Sequence, residues 1–325
     1  MKNNFKIGFF GKLPNYADFI KYNASNDEVL DFDEWIQQGL IIAEERLQSE
    51  WSEAYKLMPM YCFLFPSEDS KNLLIGNLHS SFDLSGRKYP FMVSLNIENF
   101  DVTENNIYHL PLIYKEFLDK SELFIHNAFD INIFENLTLQ FDQIDYNLDN
   151  SRDSIIQRYD EFLLSTNYEE FWNQIGSSSE NSSKYLLFKN LNDILSPFRN
   201  QDISNLSLGL RFPLSNGDKH YFETAFWIHT SMQICNKFNI VPFVFWSTQV
   251  PYCVLYFKKP SASDFTSLIK PEMDWDTICV LDREGNRENL LDNIPNEYKS
   301  IFQIPNLTLS GFLQELKTID TGEPA

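Results

Sequence analysis

The first hundred residues combine short apolar runs with one long amphipathic stretch. Residues 5–10 form an apolar run that Gly11 and Pro14 end, as is typical of a half-buried strand. Between Asp33 and Trp51, apolar side chains recur every three or four residues, which predicts a helix with one buried face. This stripe consists of Ile36, Leu40, Ala43, Leu47 and Trp51, with Asp31 or Asp33 as the expected N-cap.

Three further apolar runs, at residues 60–65, 73–82 and 91–97, predict strands, and the short turn-rich segments between them favour antiparallel pairing. A second amphipathic helix is predicted over residues 112–129. The order β-α-β-β-β-α over residues 5–130 predicts a compact α+β (α/β layered) unit. In it, an antiparallel sheet is covered by helices that reach both of its faces.

The rest of the chain predicts a second α/β part. The Ser-rich residues 176–183 are either an interdomain linker or a loop within one domain. We therefore expect an N-terminal domain over residues 1–175 and a C-terminal region over residues 184–325, which either stands alone or packs on the same core. The remaining predicted elements are helices at 155–172, 221–238 and 263–269 and strands at 185–188, 206–212, 241–246 and 252–257.

The charge of the chain narrows its possible partners. It carries 46 acidic against 26 basic residues, a net charge of −20. Such a field repels nucleic acid and anionic membrane surfaces, so a protein partner is favoured, or the acidity serves solubility alone. The first residues lack the apolar core of a secretory signal, and no apolar run is long enough to cross a membrane. We expect a cytoplasmic protein without membrane insertion.

Known catalytic motifs are missing from the sequence. The segment from Gly8 to Lys12 has two residues between its glycines and Leu13 after the lysine, so it does not match a phosphate-binding P-loop. The five histidines form no zinc-protease motif. We therefore expect no catalytic, cofactor or metal residues and no enzyme. The alternative is a hydrolase that uses His79 or His126 with nearby carboxylates.

Four charged residues in two turn-rich segments are candidates for binding a partner: Lys12, Asp18, Asp83 and Arg87. Asp83 and Arg87 flank Gly86, so a turn would bring them into a charge-assisted pair that fixes the turn. Alternatively, Arg87 binds a carboxylate or phosphate of a partner. Asp18 is either an Asx-type turn former or a contact residue. Residues 8–12 form either a tight exit from the strand, with Gly11 free to adopt positive φ, or a rigid surface turn that presents Lys12 to a partner.

The two segments resemble motifs of the TagF family, also called ImpM, of the bacterial type VI secretion system. The first reads G-F-F-G-K-L-P at residues 8–14 and continues to Asp18 and Phe19, where the family has G-F-Y-G-K-L-P and then G-D-F. The second, at residues 81–91, resembles the family's P-S-x-D-x-x-G-R-x-F-P-L pattern, with Ser80 in place of the Pro and Tyr89 in place of the Phe. A third segment, F-D-E-W-I-Q at residues 32–37, resembles the family's W-D-x-W-L-Q. The matching positions that we expect to be structural are Gly8, Gly11, Pro14, Trp35, Gly86 and Pro90.

This resemblance implies a longin-like or SRX-like N-terminal fold and a non-enzymatic role. Members of the family are post-translational repressors that bind the forkhead-associated (Fha) scaffold of the secretion system. A structural or dimerising scaffold subunit of the same system is the alternative. Neither the binding surface, nor the signal that relieves repression, nor the oligomeric state follows from the sequence.

Overall fold

The computed structural model describes residues 5–68, 71–100, 107–144, 152–175, 182–282 and 296–321. Most of the predicted Ser-rich segment, residues 176–183, lies outside these ranges.

In the described ranges, the N-terminal part contains five strands and seven α-helices. The strands are β1 (Phe5–Gly11), β2 (Ile20–Tyr22), β3 (Tyr61–Pro66), β4 (Leu73–His79) and β5 (Phe91–Ile97). The helices are α1 (Asp27–Leu47), α2 (Trp51–Lys56), α3 (Leu110–Ile113), α4 (Lys115–Ala128), α5 (Phe134–Phe141), α6 (Arg152–Ser165) and α7 (Tyr168–Ile175).

The C-terminal part also contains both helices and strands. Its helices are α8 (Ser182–Leu195), α9 (His220–Cys235), α10 (Phe265–Ile269), α11 (Asn296–Phe302) and α12 (Leu309–Thr321). Its strands are β6 (Gly209–Pro213), β7 (Phe243–Trp246), β8 (Tyr252–Tyr256) and β9 (Ile278–Val280).

In the described part of the chain, nine strands form one mixed sheet in the order β2-β1-β5-β4-β3-β7-β8-β6-β9. All neighbours are antiparallel except β6 and β9, which run parallel. β3 pairs with β7 through Cys62, Phe63 and Leu64, so strands of the N-terminal and C-terminal parts belong to the same sheet. The predicted α+β class, with an antiparallel sheet covered by helices, is confirmed.

Helices cover both faces of the sheet because the central strands bury both of their sides. Along β3, Phe63 and Phe65 pack into the core that contains α1, α2 and α10. The alternate residues Cys62 and Leu64 pack into a larger core that contains α4, α6, α9 and α12. Since successive strand side chains point to opposite faces, this explains why the central strands read as continuous apolar runs.

Trp35 on α1 contacts the C-terminal part. Its ring stacks on Phe245 of β7 at 5.4 Å between centres, and its Nε1 donates to the carbonyl oxygen of Ser261 at 3.0 Å. The predicted core position of Trp35 is confirmed, since only 4% of the residue is exposed. Burial of the predicted helical stripe is confirmed as well: Ile36, Leu40, Ala43, Leu47 and Trp51 are all buried.

Several sequence-based boundaries are wrong. The helix predicted over residues 33–51 ends at Leu47, and Trp51 begins α2, while the helix predicted over residues 155–172 is divided into α6 and α7. α1 begins at Asp27, so Asp31 and Asp33 lie inside the helix and neither is the N-cap, which is Asn26. The predicted strand over residues 185–188 is part of α8. Its buried Leu187, Leu191 and Leu195 recur every four residues, and this helical spacing outweighs the strand preference of the aromatic residues beside Leu187.

Candidate functional site

The two segments that carry the predicted site residues lie side by side at one end of the sheet. We call residues 12–19 the first loop and residues 80–90 the second loop. The first follows β1, and the second joins β4 to β5. Gly11 at the end of β1 and His79 at the end of β4 both pair with Phe91 of β5, which lies between the two strands. The two loops therefore begin at the same end of the sheet. The N–H of Leu84 donates to the carbonyl oxygen of Tyr16 at 2.8 Å and ties the loops together.

Glycine is required where the two loops approach or turn most tightly. Gly11 has a φ of +138°, and a Cβ atom there would lie 2.2 Å from the carbonyl oxygen of Pro90. Gly86 has a φ of +80° in a turn that its N–H closes onto the carbonyl oxygen of Asp83 at 2.8 Å. Few other residues tolerate such backbone angles. The expected positive φ at Gly11 is therefore confirmed.

Gly8 and Pro14 have simpler structural surroundings. A Cβ atom on Gly8 would lie 2.7 Å from the carbonyl oxygens of Tyr22 and Asn23, so this position also requires a small residue. Pro14 is half-buried at the start of the first loop, and the N–H of Tyr16 donates to the carbonyl oxygen of Leu13 at 3.1 Å. These positions shape the exit of the chain from β1.

Asp83 is the centre of the second loop. Its Oδ1 accepts the backbone N–H groups of Ser85 and Arg87 at 2.9 and 3.0 Å. Its Oδ2 accepts from Nε of Arg87 at 2.7 Å and lies 3.0 Å from Nζ of Lys12. The predicted pairing of Asp83 with Arg87 across the turn is confirmed. The carboxylate also binds Lys12 in the first loop, so it holds both loops.

The surroundings of Asp83 keep it ionised. Burial alone raises the pKa of its carboxyl, but the hydrogen bonds from Lys12 and from the backbone and side chain of Arg87 hold this pKa well below its usual value. Charge-assisted bonds of this kind are among the strongest that side chains make. The folded protein therefore contains a carboxylate fully enclosed by donors.

The other predicted contact residues divide into buried and exposed ones. The side chain of Lys12 is only 7% exposed, and its Nζ lies 4.8 Å from the ring centre of Phe19. Lys12 and Asp83 are thus internal, and the predicted surface position of Lys12 is wrong because Asp83 compensates its charge inside the protein. Asp18 is 78% exposed, its Oδ1 accepts the N–H of Phe19 at 2.8 Å, and Arg87 lies 3.9 Å away.

Exposed apolar side chains accompany Arg87 on these loops. Leu84 is 68% exposed, Phe82 47% and Phe19 43%, while the side chain of Arg87 is 57% exposed. Large apolar side chains on a surface often mark an interaction site when they lie together. These three residues were not among the candidates predicted from the sequence. The available signal was the placement of Phe82 and Leu84 on either side of Asp83 in a turn that is otherwise polar.

The histidines considered for a hydrolase lie near the same end. The rings of His79 and His126 are 6.0 Å apart between centres, and Nε2 of His126 lies 4.0 Å from Oε1 of Glu122, which is too far for a hydrogen bond. Burial, and then the nearby His126, lower the pKa of His79 to about 4. Within the described ranges, no three His, Cys, Asp or Glu residues are grouped so that they could hold a metal ion.

None of the helices in the described ranges has both the length and the apolar character needed to cross a bilayer.

The fold and the site define an α+β protein in which two loops are joined tightly at one end of the sheet. Residues 8–141 match the model of the TagF N-terminal domain, described as type VI secretion system-associated. This part of the chain therefore belongs to the TagF N-terminal domain family, and it contains both loops.

No curated protein matches the chain. A solved structure, PA0076 from Pseudomonas aeruginosa PAO1, is similar with 15% sequence identity and a TM-score of 0.49, and the match covers 83% of this chain and 96% of the other.

Proposed function

We propose that this protein is a non-enzymatic, cytoplasmic regulator that represses the type VI secretion system post-translationally by binding its Fha-type scaffold. The family membership of residues 8–141 is the observation that carries the proposal. The geometry supports it, because the residues that match the family motifs build one rigid sheet end that bears exposed Phe19, Phe82 and Leu84. Such a surface suits adhesion to another protein.

Repression would follow from mass action. A scaffold molecule held by this protein cannot engage the rest of the secretion apparatus, so the inhibited fraction depends on the concentration of the repressor and on its dissociation constant. The hydrogen bond between Leu84 and Tyr16 and the ion pair between Lys12 and Asp83 favour this role, because a surface that is ordered before binding loses less conformational entropy. No chemical turnover is required.

The proposal is tested with the purified full-length protein and the purified Fha-type scaffold of the same secretion system. We expect a complex with a dissociation constant in the micromolar range or below, on the order of 8 kcal/mol of binding free energy, by isothermal titration calorimetry. In cells, deletion of the gene is expected to raise secretion, and overproduction to lower it. Folded partners that show no heat of binding at tens of micromolar, together with unchanged secretion, contradict the proposal.

A further inference from the structure

We infer that the two-loop sheet end binds a carboxylate of its partner through Arg87, with Phe82 and Leu84 packing against apolar side chains around that carboxylate. This inference rests on the proposed function, because it names the chemistry of the partner surface. The supporting observations are the charges of Lys12, Asp83 and Arg87 and the exposure of the apolar side chains on the two loops.

The charge balance beneath the surface leaves Arg87 partly uncompensated. One buried carboxylate, that of Asp83, serves the two cations Lys12 and Arg87, so the three groups carry one net positive charge. Lys12 is enclosed, whereas the side chain of Arg87 is 57% exposed. The excess positive charge is therefore presented to the surface at Arg87, in a protein whose net charge is −20.

Asp18 compensates this excess only weakly. It lies 3.9 Å from Nη2 of Arg87 and is 78% exposed, and exposed pairs of this kind contribute little to stability. A partner carboxylate, desolvated by apolar side chains around it, interacts more strongly with the same guanidinium. Asp18 is then a competitor of the partner group.

The guanidinium is already held in place for this contact. The Nε atom of Arg87 donates a hydrogen bond to Oδ2 of Asp83, and its Nη2 donates to the carbonyl oxygen of Ala17 at 2.8 Å. The neighbouring Leu84 and Phe82 offer apolar area, and the Leu84 N–H bond to Tyr16 fixes the backbone that carries them. Arginine is one of the three residue types that most often form interface hot spots.

The charge also argues against a second copy of this chain as the occupant. Two copies would bring together surfaces of the same strongly negative protein, which repel each other. A separate partner that presents one carboxylate among apolar side chains fits better. Homodimerisation remains a distinct outcome of the test.

The test compares variants of the full-length protein for binding to the recombinant Fha-type scaffold, treated with phosphatase. We expect Arg87→Glu and Leu84→Asp each to weaken binding by about tenfold or more, and Arg87→Gln by about fivefold. Asp18→Asn removes the competing carboxylate and is expected to tighten binding by about twofold. The control Lys56→Glu changes the net charge as Arg87→Glu does, at an exposed position on α2, and is expected to leave binding within about twofold.

Arg87→Glu could lose binding because it disturbs the turn. Leu84→Asp tests the surface without this complication, since the side chain of Leu84 is exposed. Lack of binding by the wild-type protein overturns the proposed function and this inference together. Wild-type binding that Arg87→Glu affects no more than Lys56→Glu overturns the inference alone. So does weaker binding by Asp18→Asn, a need for phosphorylated scaffold, or a homodimer in light scattering that Leu84→Asp dissolves.

Discussion

Asp83 illustrates how one buried side chain fixes two segments that are about seventy residues apart. Asp83→Asn keeps the size of the side chain but removes the charge that Lys12 and Arg87 share. We expect a lower melting temperature, because a buried Lys12 is then left without its counter-charge. Asp18→Asn is the matched control, since Asp18 is exposed, and we expect it to leave the melting temperature unchanged.

The same comparison has a defined pH dependence. The folded pKa of Asp83 is depressed, so its stabilising effect is present above the unfolded pKa of about 4 and is lost as pH falls through the lower folded value. Thermal unfolding of wild type and Asp83→Asn between pH 7 and pH 3 should show a difference that shrinks only in the acid range. A difference that stays constant over the whole range contradicts this account.

His79 should titrate at a lower pH than an ordinary histidine. Burial and the neighbouring His126 lower its pKa to about 4, so the ring is neutral at pH 7 in the folded protein. The unfolded chain binds more protons between about pH 6.5 and pH 4, and the contribution of His79 to stability therefore falls as pH decreases across that window. The groups that face it are His126 and Phe129.

Proton NMR of the His79 ring checks this expectation directly, through a midpoint near pH 4. His79→Gln should flatten the pH dependence of the free energy of unfolding between pH 6.5 and pH 4. A ring that titrates near 6.5 would show that the site is open to water.

At the scale of elements, Gly39 determines how closely α1 approaches α10. A Cβ atom there would lie 2.4 Å from Cβ of Phe265 and 3.0 Å from the carbonyl oxygen of Ala262. Gly39→Ala gains about 1 kcal/mol of helix propensity, but overpacking of this contact costs about 1–3 kcal/mol. We expect net destabilisation by about 1 kcal/mol in urea unfolding.

Gly217→Ala is the control for this substitution. Its Cβ atom would have Ser215 Oγ at 3.8 Å as its nearest neighbour, so we expect little change in stability. Stabilisation by Gly39→Ala would mean that α1 and α10 are separable without loss of packing.

The elements that the sequence predicts well are those whose apolar spacing is unambiguous. The apolar spacing predicted β5 and, to within one residue, β3, and it predicted the buried face of α1 from Ile36 to Leu47 but not the ends of that helix. The errors occur where local signals conflict. The acidic residues before Trp35 suggested a cap, whereas Val29 and Phe32 continue the buried face one turn earlier. At α8, four consecutive apolar residues fit either a strand or a buried helix.

At the scale of the whole molecule, the site was only half predictable. The turn that joins Asp83 to Arg87 was predictable, because the two residues lie four positions apart with Gly86 between them. The burial of Lys12 does not, since its counter-charge comes from a distant loop and no local pattern reports it. The exposure of Phe82 and Leu84 likewise depends on tertiary packing, which overrides the usual preference of apolar residues for the core.

The continuity of the sheet predicts that the N-terminal and C-terminal parts unfold together. β3 pairs with β7, and Trp35 stacks on Phe245, so separation of the parts would expose a strand edge and a buried aromatic cluster. We expect one urea transition that tryptophan fluorescence and far-UV circular dichroism report identically. Phe245→Ala should shift this whole transition by about 3–5 kcal/mol.

A fragment of residues 1–175 tests the same claim from the other side. It retains the strands of the N-terminal part but leaves the β7 edge of β3 unpaired, with Phe63 and Phe65 no longer covered by the C-terminal part. Exposed apolar strand edges promote association, so we expect this fragment to aggregate or to lack a cooperative transition. A monomeric fragment that unfolds cooperatively, as measured by light scattering and circular dichroism, would show instead that the N-terminal part is a domain in its own right. In that case β7 would dock onto a sheet that is already stable.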